Sequence, residues 1–91
     1  MDLDEFARAL AGARNLSLAK LSKGPEMKWL KDVRTGKGTA ASIPLLADTF
    51  GLRVEHVSAA LRTPVELKAM PPEERARTAQ LILEAFNPGY L

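Results

Sequence analysis

Apolar residues along this chain recur at helical spacing, and the polar residues between them carry signals that start and stop helices. Near the amino terminus, Leu3, Phe6, Leu10 and Ala13 fall on one helix face. Asp2 and Glu5 have the spacing of a capping box, in which each side chain satisfies a backbone donor left open at a helix start. Arg14-Asn15 is the expected end, because asparagine tolerates the left-handed backbone of a helix stop. Ser17 predicts the start of a short helix over 18–23, with Leu18 and Leu21 inward, and Gly24-Pro25 breaks it. Proline suits the first turn of a helix, where its missing amide would be unpaired anyway. A third helix is therefore predicted from 25 or 26 to 34, with Met27, Leu30 and Val33 as its apolar stripe and Lys28, Lys31 and Asp32 facing elsewhere.

Thr35-Gly36-Lys37-Gly38-Thr39 has the small and glycine residues of an exposed loop. Ser42 is expected to cap a fourth helix with Pro44 in its first turn. Ile43, Leu46, Ala47 and Phe50 would form its inner face, and Gly51 its end. Val54, Val57, Ala60 and Leu61 mark a fifth, and Thr63-Pro64 opens a short turn of helix to Met70. A last helix is predicted over 72–86, stopped by Asn87-Pro88-Gly89, with Ala76, Ala79, Ile82, Leu83 and Phe86 on one apolar face. Strand-like alternation is missing throughout, so the expected class is all-α.

Composition narrows the function classes. Ninety-one residues fit one domain with a thin core and little room for a deep substrate cavity. With 46% hydrophobic and 26% charged residues, the chain belongs with folded rather than disordered sequences. The absence of cysteine removes disulfides, thiolate nucleophiles and cysteine-ligated metals, and the one histidine, His56, cannot build a metal site or a triad alone. It is expected as a plain residue on the outer side of the fifth helix. Neither an enzyme nor a cofactor, metal or small-molecule substrate is anticipated. No apolar run approaches the ~18 residues of a membrane span, and the acidic amino terminus is unlike a secretory signal. The expected location is the cytoplasm, with the nucleoid.

Charge distribution changes the picture more than net charge. The chain carries only +2, but residues 14–37 hold seven basic residues against Glu26 and Asp32, a local balance of +5. Residues 1–13 balance to −2 and residues 38–91 to −1. A basic block flanked by acidic segments suits a surface that neutralises phosphates, and it also suits an ordinary solvated face.

The residues Leu16-Ser17, Leu21-Ser22, Gly24, Leu30, Val33, Gly36-Lys37, Leu46-Ala47 and Phe50-Gly51-Leu52 carry a likeness to a known family. Over about residues 3–62 the chain resembles the lambda-repressor-like, Cro-type (XRE-type) helix-turn-helix domains. One stretch departs from the pattern: the spacing from Leu21-Ser22 to Leu30 is shorter than the family's, which leaves the register of the recognition helix open. The resemblance implies a compact five-helix bundle, here with an additional carboxyl-terminal helix, that binds double-stranded DNA. It divides the chain into a DNA-binding domain over 1–62 and a packing or dimerisation extension over 63–91.

The resemblance further implies that the third helix enters the major groove, where base pairs display distinct donors and acceptors. Lys28 and Lys31 would donate to guanine, Asp32 would accept from a cytosine amino group, and Met27 would lie against a thymine methyl. Plainer roles stand beside these: lysines touching phosphate or nothing, Asp32 pairing with Lys28, and Met27 in the core. At the family's phosphate-holding positions stand Ser17, Lys20, Thr35, Lys37 and Thr39, and Lys23 joins them on charge alone. Ser17 and the open amides after it would form an anion site. Trp29 is expected to pack rather than stack on a base. Gly36-Lys37-Gly38-Thr39 lacks the upstream glycine spacing, preceding strand and following hydroxyl of a nucleotide-binding P-loop, which excludes that reading.

The last helix, with Ala79, Ile82, Leu83 and Phe86, would either fold back onto the first and fifth helices or pair with its copy in a homodimer, and the dimer is favoured because half-site binding calls for two-fold symmetry. The expected function is sequence-specific transcriptional regulation, most naturally repression. The alternative is a protein-interaction module, such as an antitoxin-like partner whose last helix binds another protein.

Overall fold

The computed structural model describes residues 1–87, all of whose regular structure is helical. Seven helices follow in order: α1 (Leu3–Ala13), α2 (Leu18–Leu21), α3 (Lys28–Arg34), α4 (Ser42–Thr49), α5 (Val54–Ala60), α6 (Pro64–Ala69) and α7 (Pro72–Phe86). Pro88 and Gly89, expected to help stop the last helix, lie outside the described residues.

Several boundaries follow directly from local chemistry. The Asp2 carboxylate accepts the Glu5 amide at 2.8 Å, and that hydrogen bond holds its pKa below the usual aspartate range. Asn15 adopts φ +55°, and the Leu16 amide bonds back to the Ala11 carbonyl at 2.8 Å, closing α1 with a left-handed cap. Gly51 does the same for α4 at φ +67°, with Leu52 N–H reaching Ala47 at 2.7 Å. Thr63 caps α6 through the Glu66 amide at 3.2 Å.

Other boundaries moved. α2 stops at Leu21 instead of residue 23, and α3 starts at Lys28 instead of 25 or 26. Pro25 lies inside the connecting turn, where the Met27 amide bonds the Gly24 carbonyl at 3.1 Å. Proline is equally suited to a turn's second position and to a helix's first turn, and the turn prevails. Met27 then becomes the N-cap of α3 without a side-chain cap bond. Ala41, not Ser42, caps α4. Ser42 is the first helical residue, buried, with its hydroxyl accepting the Thr39 amide at 3.4 Å.

The core takes Phe6 and Leu10 from α1, Leu30 and Val33 from α3, Leu46 from α4 and Val57 from α5, all essentially inaccessible to solvent. Each such side chain contributes roughly 1.5–3 kcal/mol of burial. Leu18 of α2 and Ala85 of α7 join the same cluster, so α7 shares the core of the preceding helices. The inner face of α1 is Phe6, Ala7, Leu10 and Ala11, and Ala13 is exposed, a small rotation from the expected stripe.

α7 packs on α5 and α1. The Phe86 ring meets Phe6 edge-on, with centroids 5.6 Å apart. The expectation for His56 is overturned. It is only 7% exposed, because it sits where α5 and α7 meet. Its Nδ1 accepts the Arg53 amide at 3.1 Å, so Nε2 carries the proton and donates to Glu84 Oε2 at 3.1 Å. α6 buries none of its residues. Its carboxyl end is closed by Arg75, whose guanidinium donates to the carbonyls of Leu67 and Met70, both at 3.0 Å.

Candidate nucleic-acid interface

α3 is fixed from within by Leu30 and Val33, 0% and 1% exposed. At ~100° per residue, Lys28, Lys31 and Asp32 must then fall on the opposite side. Both lysines are exposed, and Asp32 is half-buried beside the following loop. No ion pair joins Lys28 to Asp32 among the described residues, so the simple surface pairing weighed for Asp32 is not formed. Met27 is half-buried and packs against the core, as does Trp29. For Met27 this matches the packing role more closely than contact with a base.

The positions expected to hold phosphates are distributed along α2, the turn after it and the loop after α3. Lys20 is on α2, Lys23 in the turn and Lys37 in the loop, all exposed. Together with Lys28 and Lys31 they make five lysines without a carboxylate partner among the described residues. Of the cations later in the chain, Arg53, Arg62 and Arg77 are each paired to a glutamate and Arg75 donates to backbone carbonyls, while Lys68 is exposed without a carboxylate partner among the described residues. Ser17 caps α2 by accepting the Lys20 amide at 3.4 Å. α2 is a single turn of four residues, so its dipole adds little to an anion site there.

The loop is more ordered than its composition suggests. Gly36 takes φ +81°, the Lys37 amide donates to Asp32 at 2.6 Å, and the Gly36 amide donates to Val33 at 3.1 Å, closing α3 with two bonds. The Thr35 hydroxyl donates to the Lys31 carbonyl at 3.0 Å, and the Thr39 amide to Ser42. Gly38 lies against the core. A Cβ built on it would stand 2.9 Å from Val33 Cγ2 and 3.0 Å from Leu3 Cδ2. Sequence reasoning missed this glycine, since two glycines around a lysine look the same in a slack loop and in a tightly seated one.

Arg14 leaves the basic surface altogether. Its guanidinium donates to the carbonyls of Phe50 and, at 3.1 Å, Ala85, while lying over the Phe50 ring. The local charge balance therefore overstates what faces solvent by one cation.

The α2–α3 connection is residues 22–27, longer than the three or four residues usual in a helix-turn-helix even though the spacing from Leu21 to Leu30 is short. Because α2 ends at Leu21 and α3 starts only at Lys28, the residues are lost from the helices and not from the turn. Of the four residues expected to form a dimer contact, Ile82 and Phe86 pack on this chain's own core, while Ala79 and Leu83 are exposed. A groove of about 570 Å³ runs between α5 and α7, lined by Val54, Ser58, Ala59, Thr78 and Leu81 with Arg53 and Arg62 at its edges, and takes no residue from α2 or α3. No grouping of three or more potential metal-binding side chains occurs among the described residues, and none of their helices is long and apolar enough to cross a membrane. No family model, curated protein or solved structure matches this chain.

Proposed function

We propose that this protein binds double-stranded DNA through the surface of α2, α3 and the loop after α3, and regulates transcription by doing so. The observation that carries the proposal is the set of five exposed, unpaired lysines on a segment whose helix α3 is anchored from inside by Leu30 and Val33. An α-helix held in this way can enter the major groove while lysines on either side of it meet the phosphates. The likeness to lambda-repressor-like domains supports the same placement, and the longer α2–α3 turn is where this chain differs. Lys28, Lys31 and Asp32 are the base-reading residues, and Lys20, Lys23 and Lys37 lead the phosphate contacts, with Ser17, Thr35 and Thr39 beside them. Two-fold binding by a homodimer has Ala79 and Leu83 as the α7 positions left outside.

Titration against duplex DNA at several salt concentrations tests the proposal. Log affinity should fall with log salt by roughly 0.9 for each phosphate neutralised. Selection of bound sites from random duplexes should return a defined sequence, palindromic if two copies bind. A flat salt response, or no binding to any duplex, rejects DNA as the partner and leaves a protein-interaction role.

A further inference from the structure

We infer that Gly38 is a positioning residue for Lys37, making the loop after α3 a preformed phosphate contact. The inference rests on the DNA-binding proposal and deepens it.

Lys37 stands between two glycines, an arrangement that would ordinarily let its side chain sweep through a wide range of positions. Both sides are instead held. On the amino-terminal side, the Lys37 amide is fixed to the Asp32 carbonyl at 2.6 Å, in the left-handed cap at Gly36 that closes α3. On the carboxyl-terminal side, Gly38 presses its backbone onto Val33 and Leu3. The space for a Cβ is already taken by Val33 Cγ2 at 2.9 Å, Leu3 Cδ2 at 3.0 Å and Val33 Cα at 3.2 Å. Val33 is 1% exposed and Val33 Cα is backbone, so neither can yield as a surface side chain would. The Thr39 amide then meets Ser42 at the start of α4.

The Lys37 backbone is thereby tied to the same residue, Val33, that anchors α3. A cation held in register with α3 loses less conformational freedom on meeting a phosphate than one on a slack loop, so more of its attraction appears as affinity. Lys23, in the turn between α2 and α3, has its amide on the Lys20 carbonyl at 3.3 Å, but the glycine after it meets only the flexible side chain of Met27, which can give way.

The test is a double-mutant cycle on duplex affinity, using Lys37→Ala, Gly38→Ala and the pair, with amide hydrogen exchange read at residue 37. In the otherwise unaltered protein, Lys37→Ala should lower the salt slope by about 0.9. Gly38→Ala should weaken duplex binding several-fold and expose the Lys37 amide to exchange, and Lys37→Ala should then matter much less in that background. Because an added Cβ could disturb the core, a second variant inserts one glycine between Gly38 and Thr39, which slackens the loop without adding a side chain. It should reproduce the loss. Duplex binding by the unaltered protein together with an additive cycle and unchanged exchange at Lys37 overturns the inference alone. Failure of the unaltered protein to bind any duplex removes it together with the DNA-binding proposal.

Discussion

Arg14 donates a hydrogen bond to the backbone carbonyl of Phe50, the C-cap of α4, and lies over the same residue's ring with its guanidinium carbon 5.4 Å from the ring centroid. A second bond reaches Ala85 near the end of α7, so one cation closes the carbonyl ends of two helices, where a positive charge is favoured. Replacing Arg14 by alanine should lower unfolding free energy by about 2–4 kcal/mol, because two carbonyls lose charge-assisted bonds. Lysine should recover little, since a point charge cannot span both acceptors. Urea denaturation decides this, and a wild-type midpoint for the alanine variant would show that the contacts contribute nothing net.

The Glu84 carboxyl, hydrogen-bonded by His56, sets a pH dependence. The hydrogen bond from His56 holds the Glu84 carboxyl below the usual glutamate range, with Gln80 adding a second bond. A depressed carboxylate pKa means that its stabilising effect is complete above the unfolded value of about 4.3 and disappears as pH falls through the lower folded value. Thermal melts should therefore separate the wild type from Glu84→Gln at pH 7 and draw them together as pH falls through the lowered Glu84 value. A gap that stays constant across that range would remove the carboxylate charge as its cause.

The two uses of α7 can be told apart. Phe86→Ala should destabilise the fold by about 2–4 kcal/mol through loss of its packing against Phe6. Leu83→Glu, at a position 46% exposed, should leave the melting temperature nearly unchanged. If copies associate through the outer side of α7, the same Leu83 variant should shift sedimentation from dimer to monomer.

Gly12 and Gly51 should respond to alanine in opposite directions. Gly12 lies within α1 and a Cβ there meets nothing within 4 Å, so Gly12→Ala should stabilise by about 0.5–1 kcal/mol. Gly51 holds φ +67° at the end of α4, so Gly51→Ala should destabilise by about 1 kcal/mol despite equally open space. Calorimetry on both variants checks the pair.

On DNA, Lys28→Ala should weaken binding and also relax preference at one base position, while Lys37→Ala should weaken it about equally on all sequences. Identical effects of the two substitutions across a panel of duplexes would mean that α3 does not read bases through Lys28.

Much of the helix order was legible in local signals. Asp2, Ser17 and Thr63 start helices, Asn15 and Gly51 stop them, and Phe6, Leu10, Leu30, Val33, Leu46 and Val57 follow inward stripes. What escaped depended on partners distant in sequence. Arg14 looks like any surface arginine until Phe50 and Ala85 arrive 36 and 71 residues later. His56 looks solvated until Glu84 comes over it. In α7 two overlapping stripes are both apolar enough to pack, and only the arrival of α5 and α1 selects the one containing Thr78 and Ala85 and leaves Ala76, Ala79 and Leu83 outside. The candidate interface was legible as a run of charge. Which lysines remain unpaired, and how firmly Gly38 holds the loop, required three dimensions.

α6 contributes nothing to the interior, and Arg75 seals its end from the α7 side. The exposed part of α6 is therefore exchangeable as long as Leu61, which packs on the core before it, and the Leu67 and Met70 carbonyls held by Arg75 stay where they are. A protease recognition sequence or a fluorescent label can be spliced there with the lysine-bearing surface and the seat of α7 left as they stand, which makes that stretch the natural handle for watching this protein in solution.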